Sequence, residues 1–355
     1  MSRALRLATY NVEWFTELFD DAGGFLNDHA ESVRFGLTRA QQFDAVGAVL
    51  RAMDADAVMV IEGPDHSETR SAVLALENFA THFGLRARRA LVGFTSATKQ
   101  EIVLMYDPDV MQATHAPMGQ PDAASPAPRF DYAYSYDLDG DGNAENIGFS
   151  KPPLEVILRL SSGAQLRLIG VHTKSKAPRH TRGRAEFVAQ SIQNRRKQLA
   201  ECFWLRGRVD EVLAQGTPLL VMGDFNDGPG LDEYEQQFGH SSVEVVMGAA
   251  SPTQPQLFDP HAAKTAAPFG NAPFGNAPVT SRFYLPEQKG YFEALLDFVM
   301  VSPDLARTGP IWRIWHPLHD PKIITNPKLA AALLAASDHF PVSIDINLPP
   351  AAPSA

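Results

Sequence analysis

Asp224 and Asn226 stand two residues apart in Gly223-Asp-Phe-Asn-Asp227, so in an extended segment both side chains face the same way. One can hold an attacking water while the other donates to a phosphate oxygen. Asp338 and His339 are adjacent. A histidine in that setting acts as a general base or as a donor to developing charge. Asp297 is an acid suited to accept from the His339 ring and fix its tautomer. His172 supplies a second imidazole, fit to contact a phosphate or protonate a leaving oxygen. With Glu62 and Asn11 the set holds four carboxylates, two amides and two histidines. Like charges gathered so densely repel and raise one another's pKa, which makes a cation their natural partner. Oxygen donors without cysteine select a hard ion, Mg²⁺ or Mn²⁺, over zinc. Such an ion keeps several waters and takes few protein ligands. Glu62 is the expected principal ligand, with Asp338 or Asp224 as helpers.

These residues act together only if the chain brings them together, and their places in the apolar runs say that it does. Asn11 follows Leu5–Tyr10, Glu62 follows Val58–Ile61, His172 follows Leu166–Val171, and Asp224 and Asn226 follow Leu219–Gly223. Asp297 and the pair Asp338-His339 stand at the starts of the expected strands Leu296–Val301 and Val342–Ile346. If those two strands run antiparallel to the other four, all six positions fall on one edge of the sheets.

Further strands are expected at Ile102–Tyr106 and Leu154–Leu160, the latter turning through Ser-Ser-Gly into Leu166. Phe43, Val46, Val49, Leu50 and Met53 recur at helical spacing behind an N-cap at Thr38. A second helix is expected within Arg70–Phe83 and a long one over Arg184–Ala214. Residues 13–36 and 117–150 read as polar surface excursions. Residues 249–277, which contain Pro-Phe-Gly-Asn-Ala twice in tandem, read as loop. Strands that alternate with helices and also with direct turns predict an α/β fold of mixed sheets covered by helices. One catalytic domain is expected over 1–348, with a disordered tail at 349–355.

The chain of 355 residues is 45% hydrophobic and 20% charged, enough for a sizeable core. A formal net charge of -10 argues against a broad basic surface for nucleic acid, although a local grip on one or two phosphates remains open. A single cysteine, Cys202, excludes an internal disulfide and reads as a buried core residue. No apolar run approaches the ~18 residues of a membrane span. No signal peptide is evident at Met1–Leu7, and a cytoplasmic location is expected.

Six segments, in order, resemble the endonuclease/exonuclease/phosphatase superfamily. They are Thr9-Tyr-Asn11, Val60-Ile-Glu62, Gly170-Val-His172-Thr-Lys-Ser-Lys176, Gly223-Asp-Phe-Asn-Asp227, Leu296-Asp-Phe-Val-Met-Val-Ser302 and Ser337-Asp-His-Phe-Pro-Val342. The resemblance implies a four-layered α/β sandwich with two packed mixed sheets flanked by helices. It implies a divalent metal bound chiefly through Glu62, helped by Asn11 and Asp338. It further implies Asp224 aligning or activating water, Asn226 and His172 on the scissile phosphate, and a His339–Asp297 pair at its other side. The chemistry implied is in-line attack of water on a phosphodiester or phosphomonoester. The chain departs from the family at Ile61, where Gln usually precedes the metal-binding Glu. Its insertions at 13–36, 117–150 and 249–290 do not match well-known members, so no substrate is carried over; they are expected to shape the substrate mouth.

Three lesser signals remain. Lys174, Lys176 and Arg179, continued by Arg182 and Arg184, form the densest basic run; it reads either as a solvated helix lead-in or as a clamp for a substrate phosphate. Asp137-Leu-Asp-Gly-Asp-Gly-Asn-Ala-Glu145 is similar to half of a Ca²⁺ loop. Its twelfth position is Gly148, which favours a hairpin turn over a weak structural Ca²⁺ site. His316 and His319 lack further zinc ligands and suggest packing. The leading function is a metal-dependent phosphodiesterase on a small-molecule, lipid or nucleotide ester. The alternatives are a nuclease on DNA or RNA, a phosphomonoesterase on a sugar or inositol phosphate, and a non-catalytic binding protein on the same fold. The sequence leaves the oligomeric state open.

Overall fold

Alternation along each strand decides what the two faces of a sheet meet. The computed structural model describes residues 3–348 apart from 123–124, 139–141, 179–180, 234, 237, 250–252, 266–277 and 286–288. Its strands begin with β1 (Leu5–Asn11), β2 (Ala57–Gly63), β3 (Arg89–Val92), β4 (Glu101–Tyr106), β5 (Met111–His115), β6 (Tyr134–Tyr136) and β7 (Glu145–Ile147). They continue with β8 (Leu154–Leu160), β9 (Gln165–His172), β10 (Leu219–Asp224), β11 (Ser281–Leu285), β12 (Gly290–Ala294), β13 (Asp297–Val301), β14 (Ile311–Ile314) and β15 (Val342–Ile346). A six-stranded sheet has the order β14-β15-β1-β2-β4-β3, and a five-stranded sheet has the order β13-β10-β9-β8-β5. Parallel pairs β1–β2 and β9–β10 sit among antiparallel ones, so both sheets are mixed. β15 runs antiparallel to β1, and β13 to β10, as convergence on one edge requires.

Leu5 and Leu7 of β1 and Ala57, Met59 and Ile61 of β2 face the core between the sheets. Leu220 and Met222 of β10 and Val299 and Val301 of β13 meet them from the other side. The alternate residues Ala8, Tyr10, Val58 and Val60 pack outward beneath the helices Arg39–Met53, Ala72–Phe83 and Pro327–Ala336. Leu219, Val221, Phe298 and Met300 pack outward beneath Arg184–Ala214 and Ser242–Met247. The architecture is thus a four-layered α/β sandwich. Each fully buried Leu, Ile or Val contributes about 1.5–3 kcal/mol against exposure, which fixes the register of every strand.

Thr38 caps the first helix through a capping box with Gln41, and Phe43, Val46, Val49, Leu50 and Met53 are buried. Cys202 lies buried in the long helix. None of the helices among the described residues is long and apolar enough to cross a membrane.

Two stretches expected as polar excursions carry core. Phe15, Leu18 and Phe19 are buried, with Phe15 edge-on to Phe79 at 5.2 Å. Ala127 and Phe130 pack against Trp204, and the buried Arg208 donates to the Ala127 and Pro128 carbonyls, both at 2.9 Å. In each case the few large apolar residues are diluted by Pro, Asp and Gly, which hides the core signal. Nor does the sequence announce the helix Pro327–Ala336: its Ala/Leu run shows no apolar stripe, although Asn326 caps it. The Asp137–Glu145 segment links β6 to β7 in an antiparallel hairpin, with Gly142 N–H donating to Asp137 Oδ2 at 2.9 Å. Asp139 and Asp141, the tandem repeat and the tail lie outside the described residues, so the Ca²⁺ reading is left there.

Gly223 lies between the sheets' last apolar row and the acidic edge. Its φ is 146°, and a Cβ there would stand 1.9 Å from the Val171 carbonyl oxygen. Gly223→Ala is expected to cost about 3 kcal/mol or more, because β9 must move away from β10. A urea titration measures this, and a loss below about 1 kcal/mol would show that the strand pair yields easily.

Candidate active site

Asn11, His172, Asp224 and Asp297 each continue the inward-facing row of their strand beyond its last apolar residue. The rows read Leu7, Thr9, Asn11; Leu168, Gly170, His172; Leu220, Met222, Asp224; and, backwards along β13, Val301, Val299, Asp297. Glu62 breaks this rule, since simple alternation would face it toward the outer helices. The register of β2 against β4 shifts between Val60 and Gly63, and Glu62 has a φ of 59°. A bulge of this kind re-aims a side chain. Glu62 Oε1 comes within 3.9 Å of His172 Nε2, and Oε2 accepts from the Trp14 N–H at 2.9 Å.

Asp224 is the hub. Asn11 Nδ2, from the other sheet, donates to its Oδ2 at 3.1 Å. The Asn226 N–H donates to Oδ1 at 2.7 Å, and Asn226 Nδ2 to Oδ2 at 3.2 Å. Asn226 reaches both through a left-handed φ of 48°, which Asn tolerates better than most residues. His172 Nε2 lies 3.6 Å from Asp224 Oδ2. His339 Nδ1 stands 2.7 Å from Asp297 Oδ2. One ligand-capable atom from each of Asp224, Asp297 and His339 lies within 4.8 Å of the others, and all three residues are buried. Ser337 Oγ donates to the Asn11 carbonyl at 2.8 Å and accepts from the His339 N–H at 3.1 Å, which locks the Ser-Asp-His turn onto β1.

Burial raises Asp224 to about 6, while the His339 charge and the Asn226 N–H restrain it. Glu62 is raised by burial, against the Trp14 N–H and nearby cations. Burial pulls the His339 ring down, but the carboxylates of Asp297, Asp224 and Asp338 outweigh it and hold the ring well above the usual histidine range. His172 goes the other way: burial, with Lys151 and His339 adding repulsion, keeps it well below that range. Their surroundings thus drive the two imidazoles in opposite directions, His339 toward its charged form and His172 toward its neutral one.

The geometry brings Asn11, Glu62, His172, Asp224, Asn226, Asp297 and His339 to one edge. Asp338 joins them electrostatically, since its carboxylate helps to hold His339 charged and to raise Glu13. Carboxylate oxygens from the part-exposed Glu62 and the buried Asp224, with Asp297 Oδ1 lacking a hydrogen-bond partner, suit a hard divalent cation. The Asp224–Asp297–His339 trio is the tighter group, and Glu62 and Asp338 fall outside it.

The basic run is split. Lys176 is held within the protein: its ammonium is ion-paired with Asp227 and Glu235 and lies 3.9 Å from Asp232. Arg179 lies outside the described residues. Lys174 donates through its backbone N–H to Glu201 at 2.8 Å. His316 and His319 stack on each other at 4.0 Å and 8°, a packing arrangement rather than a chelate.

Sequence reasoning missed two groups. Lys151, just before β8, is pulled down to about 8 by burial, against the attraction of Glu62 and Asp224. β8 runs antiparallel to β9, so its start lies beside the end that carries His172. The same strand-edge logic would have found it. Glu13, bound by Arg34 at 2.8 Å, is raised to about 7 by burial and by Asp338. It lies in a stretch whose polar, Gly-containing composition gives no strand-edge signal.

The model of the endonuclease/exonuclease/phosphatase family matches residues 8–339. No curated protein matches the chain. Among solved structures, a mannosyl-6-phosphatase of Bacteroides thetaiotaomicron is similar over 97% of this chain and 100% of that one, at 14% identity and a TM-score of 0.45. The human Nocturnin catalytic domain is similar over 97% and 94%, at 14% identity and a TM-score of 0.43. An AP endonuclease from Archaeoglobus fulgidus is similar over 97% and 100%, at 12% identity and a TM-score of 0.46.

Proposed function

Since the chain belongs to the endonuclease/exonuclease/phosphatase family, whose members hydrolyse phosphate esters, we propose that it is a divalent-metal-dependent phosphodiesterase acting on a small-molecule ester. The observation that carries this reading is the buried Asp224–Asp297–His339 group, with Asn226 and His172 against it. Asp224, raised to about 6, is ionised at neutral pH yet basic enough to orient and deprotonate an attacking water. Asn226 is held for donation to a phosphoryl oxygen. The charged His339, fixed by Asp297, donates to the opposite oxygen, where negative charge grows. His172 is neutral, which suits it to contact the phosphate rather than to protonate the leaving group. Lys151 adds a cation beside Glu62 and Asp224. Glu62, Asn11 and Asp338 are the residues proposed to hold Mg²⁺ or Mn²⁺. When bound, such an ion supplies positive charge to the phosphoryl oxygens.

Purified protein assayed with Mg²⁺, Mn²⁺ or EDTA against bis-p-nitrophenyl phosphate, p-nitrophenyl phosphate, plasmid DNA and RNA tests the reading. Metal-dependent cleavage of the diester is expected. Preference for nucleic acid or for the monoester would replace the diesterase reading, and inertness toward all four would end it. Glu62→Gln is expected to raise the metal concentration needed for half-maximal rate by about tenfold or more. An unchanged metal dependence would move the ion to other residues.

A further inference from the structure

The strands β9 and β10 pair as far as His172 and Asp224, and there their ladder ends. The Thr173 N–H still donates to the Asp224 carbonyl at 3.1 Å. Beyond it the carbonyls of Lys174, Phe225 and Asn226 need partners from outside the ladder. The long helix Arg184–Ala214 supplies them. Asn194, Gln198 and Glu201 recur at i, i+4 and i+7, which sets them in one row along a helical face, and all three are buried. Asn194 Nδ2 donates to the Lys176 and Ala177 carbonyls at 3.3 and 3.1 Å. Glu201 accepts from the Lys174 N–H at 2.8 Å. A row of polar side chains on a buried helical face, where apolar ones would pack at less cost, is thus committed to the backbone that follows His172.

Gln198, fully buried, reaches both loops. Its Nε2 lies 2.7 Å from the Lys174 carbonyl, 3.2 Å from that of Phe225 and 3.1 Å from that of Asn226, so two protons serve three acceptors. Ser242 Oγ donates to the Gln198 Oε1 at 3.2 Å and holds the other end of the amide. The loops are also joined directly. Asn226 Nδ2 donates to the Thr173 carbonyl at 3.1 Å, and Thr173 Oγ1 to that of Phe225. Asn226 stands at a left-handed φ of 48°, a conformation that persists where its surroundings over-determine it. The carbonyl of that same residue is one of the three that Gln198 holds.

We propose that Gln198 is a positioning residue: it holds the loop that starts at His172 and the loop that carries Asn226 at one separation, so that both side chains meet the same phosphate. The proposal rests on the phosphoesterase reading above. Gln198 acts through the backbone of these loops rather than through contact with the phosphate. A misplacement of about 1 Å between groups that must act together can cost about 10²-fold in rate, so a residue outside the chemistry can carry a large effect.

Gln198→Met keeps the volume and removes the amide. It is expected to lower kcat on bis-p-nitrophenyl phosphate by about tenfold or more, with KM changed by less than about threefold, at a temperature where circular dichroism shows the variant folded. Ser242→Ala loosens the amide without removing it from the carbonyls. It should give a smaller loss in the same sense, and it takes the place of Gln198→Met should that variant not fold. The decisive readout is a double-mutant cycle on kcat. Combined with Asn226→Ala, either substitution should add little further loss. Combined with Asp297→Asn, whose effect runs through His339, the losses should multiply. A merely structural role would leave kcat per folded molecule unchanged, or multiply with both partners alike, and either result overturns the proposal. Amide hydrogen exchange in EDTA needs no activity. In either variant, exchange should speed up at 173–177 and 225–228 while 342–346 keeps the wild-type rate. That pattern supports the positioning role even if the wild type hydrolyses no ester, an outcome that sinks only the phosphoesterase reading. Exchange that changes everywhere alike, or not at all, overturns the role however active the protein is.

Discussion

Asp224→Asn is expected to lower kcat on a phosphodiester by about 10²–10⁴-fold while the folded protein becomes no less stable. The two halves of this expectation have one cause. Asp224 is buried and its carboxyl is raised to about 6 from an ordinary 3.8, so burial opposes its charged form. A carboxylate whose folded pKa is raised contributes its stability below the unfolded value, and that contribution is lost as pH rises through the folded one. At pH 7 the ionised side chain is therefore a cost to the fold, which its proposed role toward an attacking water would account for. Asparagine fills the same volume, carries no charge and keeps one oxygen for the Asn226 N–H; its amide nitrogen then replaces the oxygen that accepts from Asn11 Nδ2, a loss set against relief of the buried charge. Its melting temperature in EDTA at pH 7 should equal or exceed that of the wild type. Rate and melting temperature falling together would mean that the site collapsed, and a rate loss below about tenfold would remove Asp224 from the chemistry.

Much of this edge was legible because strand alternation is a strict rule. Asn11, His172, Asp224 and Asp297 each end or begin an inward-facing apolar row, and that fact is written in the spacing of Leu7, Leu168, Met222 and Val299. Glu62 came to the same place by a different route. Its aim depends on a bulge and a left-handed φ, and no residue pattern at Val60-Ile-Glu-Gly63 announces either. Lys176 shows the limit more sharply. Its chemistry suited a phosphate clamp, yet its partners Asp227 and Glu235 lie more than 50 residues along the chain, and pairing at that separation is decided by packing. The excursions failed for a related reason. Phe15, Phe130 and Trp204 find their burial in tertiary contacts that no local window contains.

Asp297→Asn is expected to produce a rate deficit that grows with pH, reaching about 10²–10⁴-fold under alkaline conditions. His339 Nδ1 lies 2.7 Å from Asp297 Oδ2, and that carboxylate leads the attractions that hold the ring charged against its own burial. The amide keeps the side chain's size and can still meet the ring, but it withdraws the negative charge. The ring's pKa then falls, because desolvation is no longer opposed by its strongest partner. Below the shifted value the imidazolium persists and the variant retains part of its rate. Above it the ring becomes neutral and no longer presents positive charge to the phosphoryl oxygen, whereas the wild-type ring stays charged to higher pH. The alkaline limb of the kcat profile should accordingly move toward acid in Asp297→Asn. In His339→Gln the limb attributable to this group should vanish, with the rate low throughout. The stability of the pair follows the same sign: a histidine with a raised folded pKa stabilises fully below its unfolded value, and that contribution fades as pH climbs through the folded one. Equal deficits at pH 6 and pH 9 would show that Asp297 only braces the ring, and that the charge on His339 plays no part in the reaction.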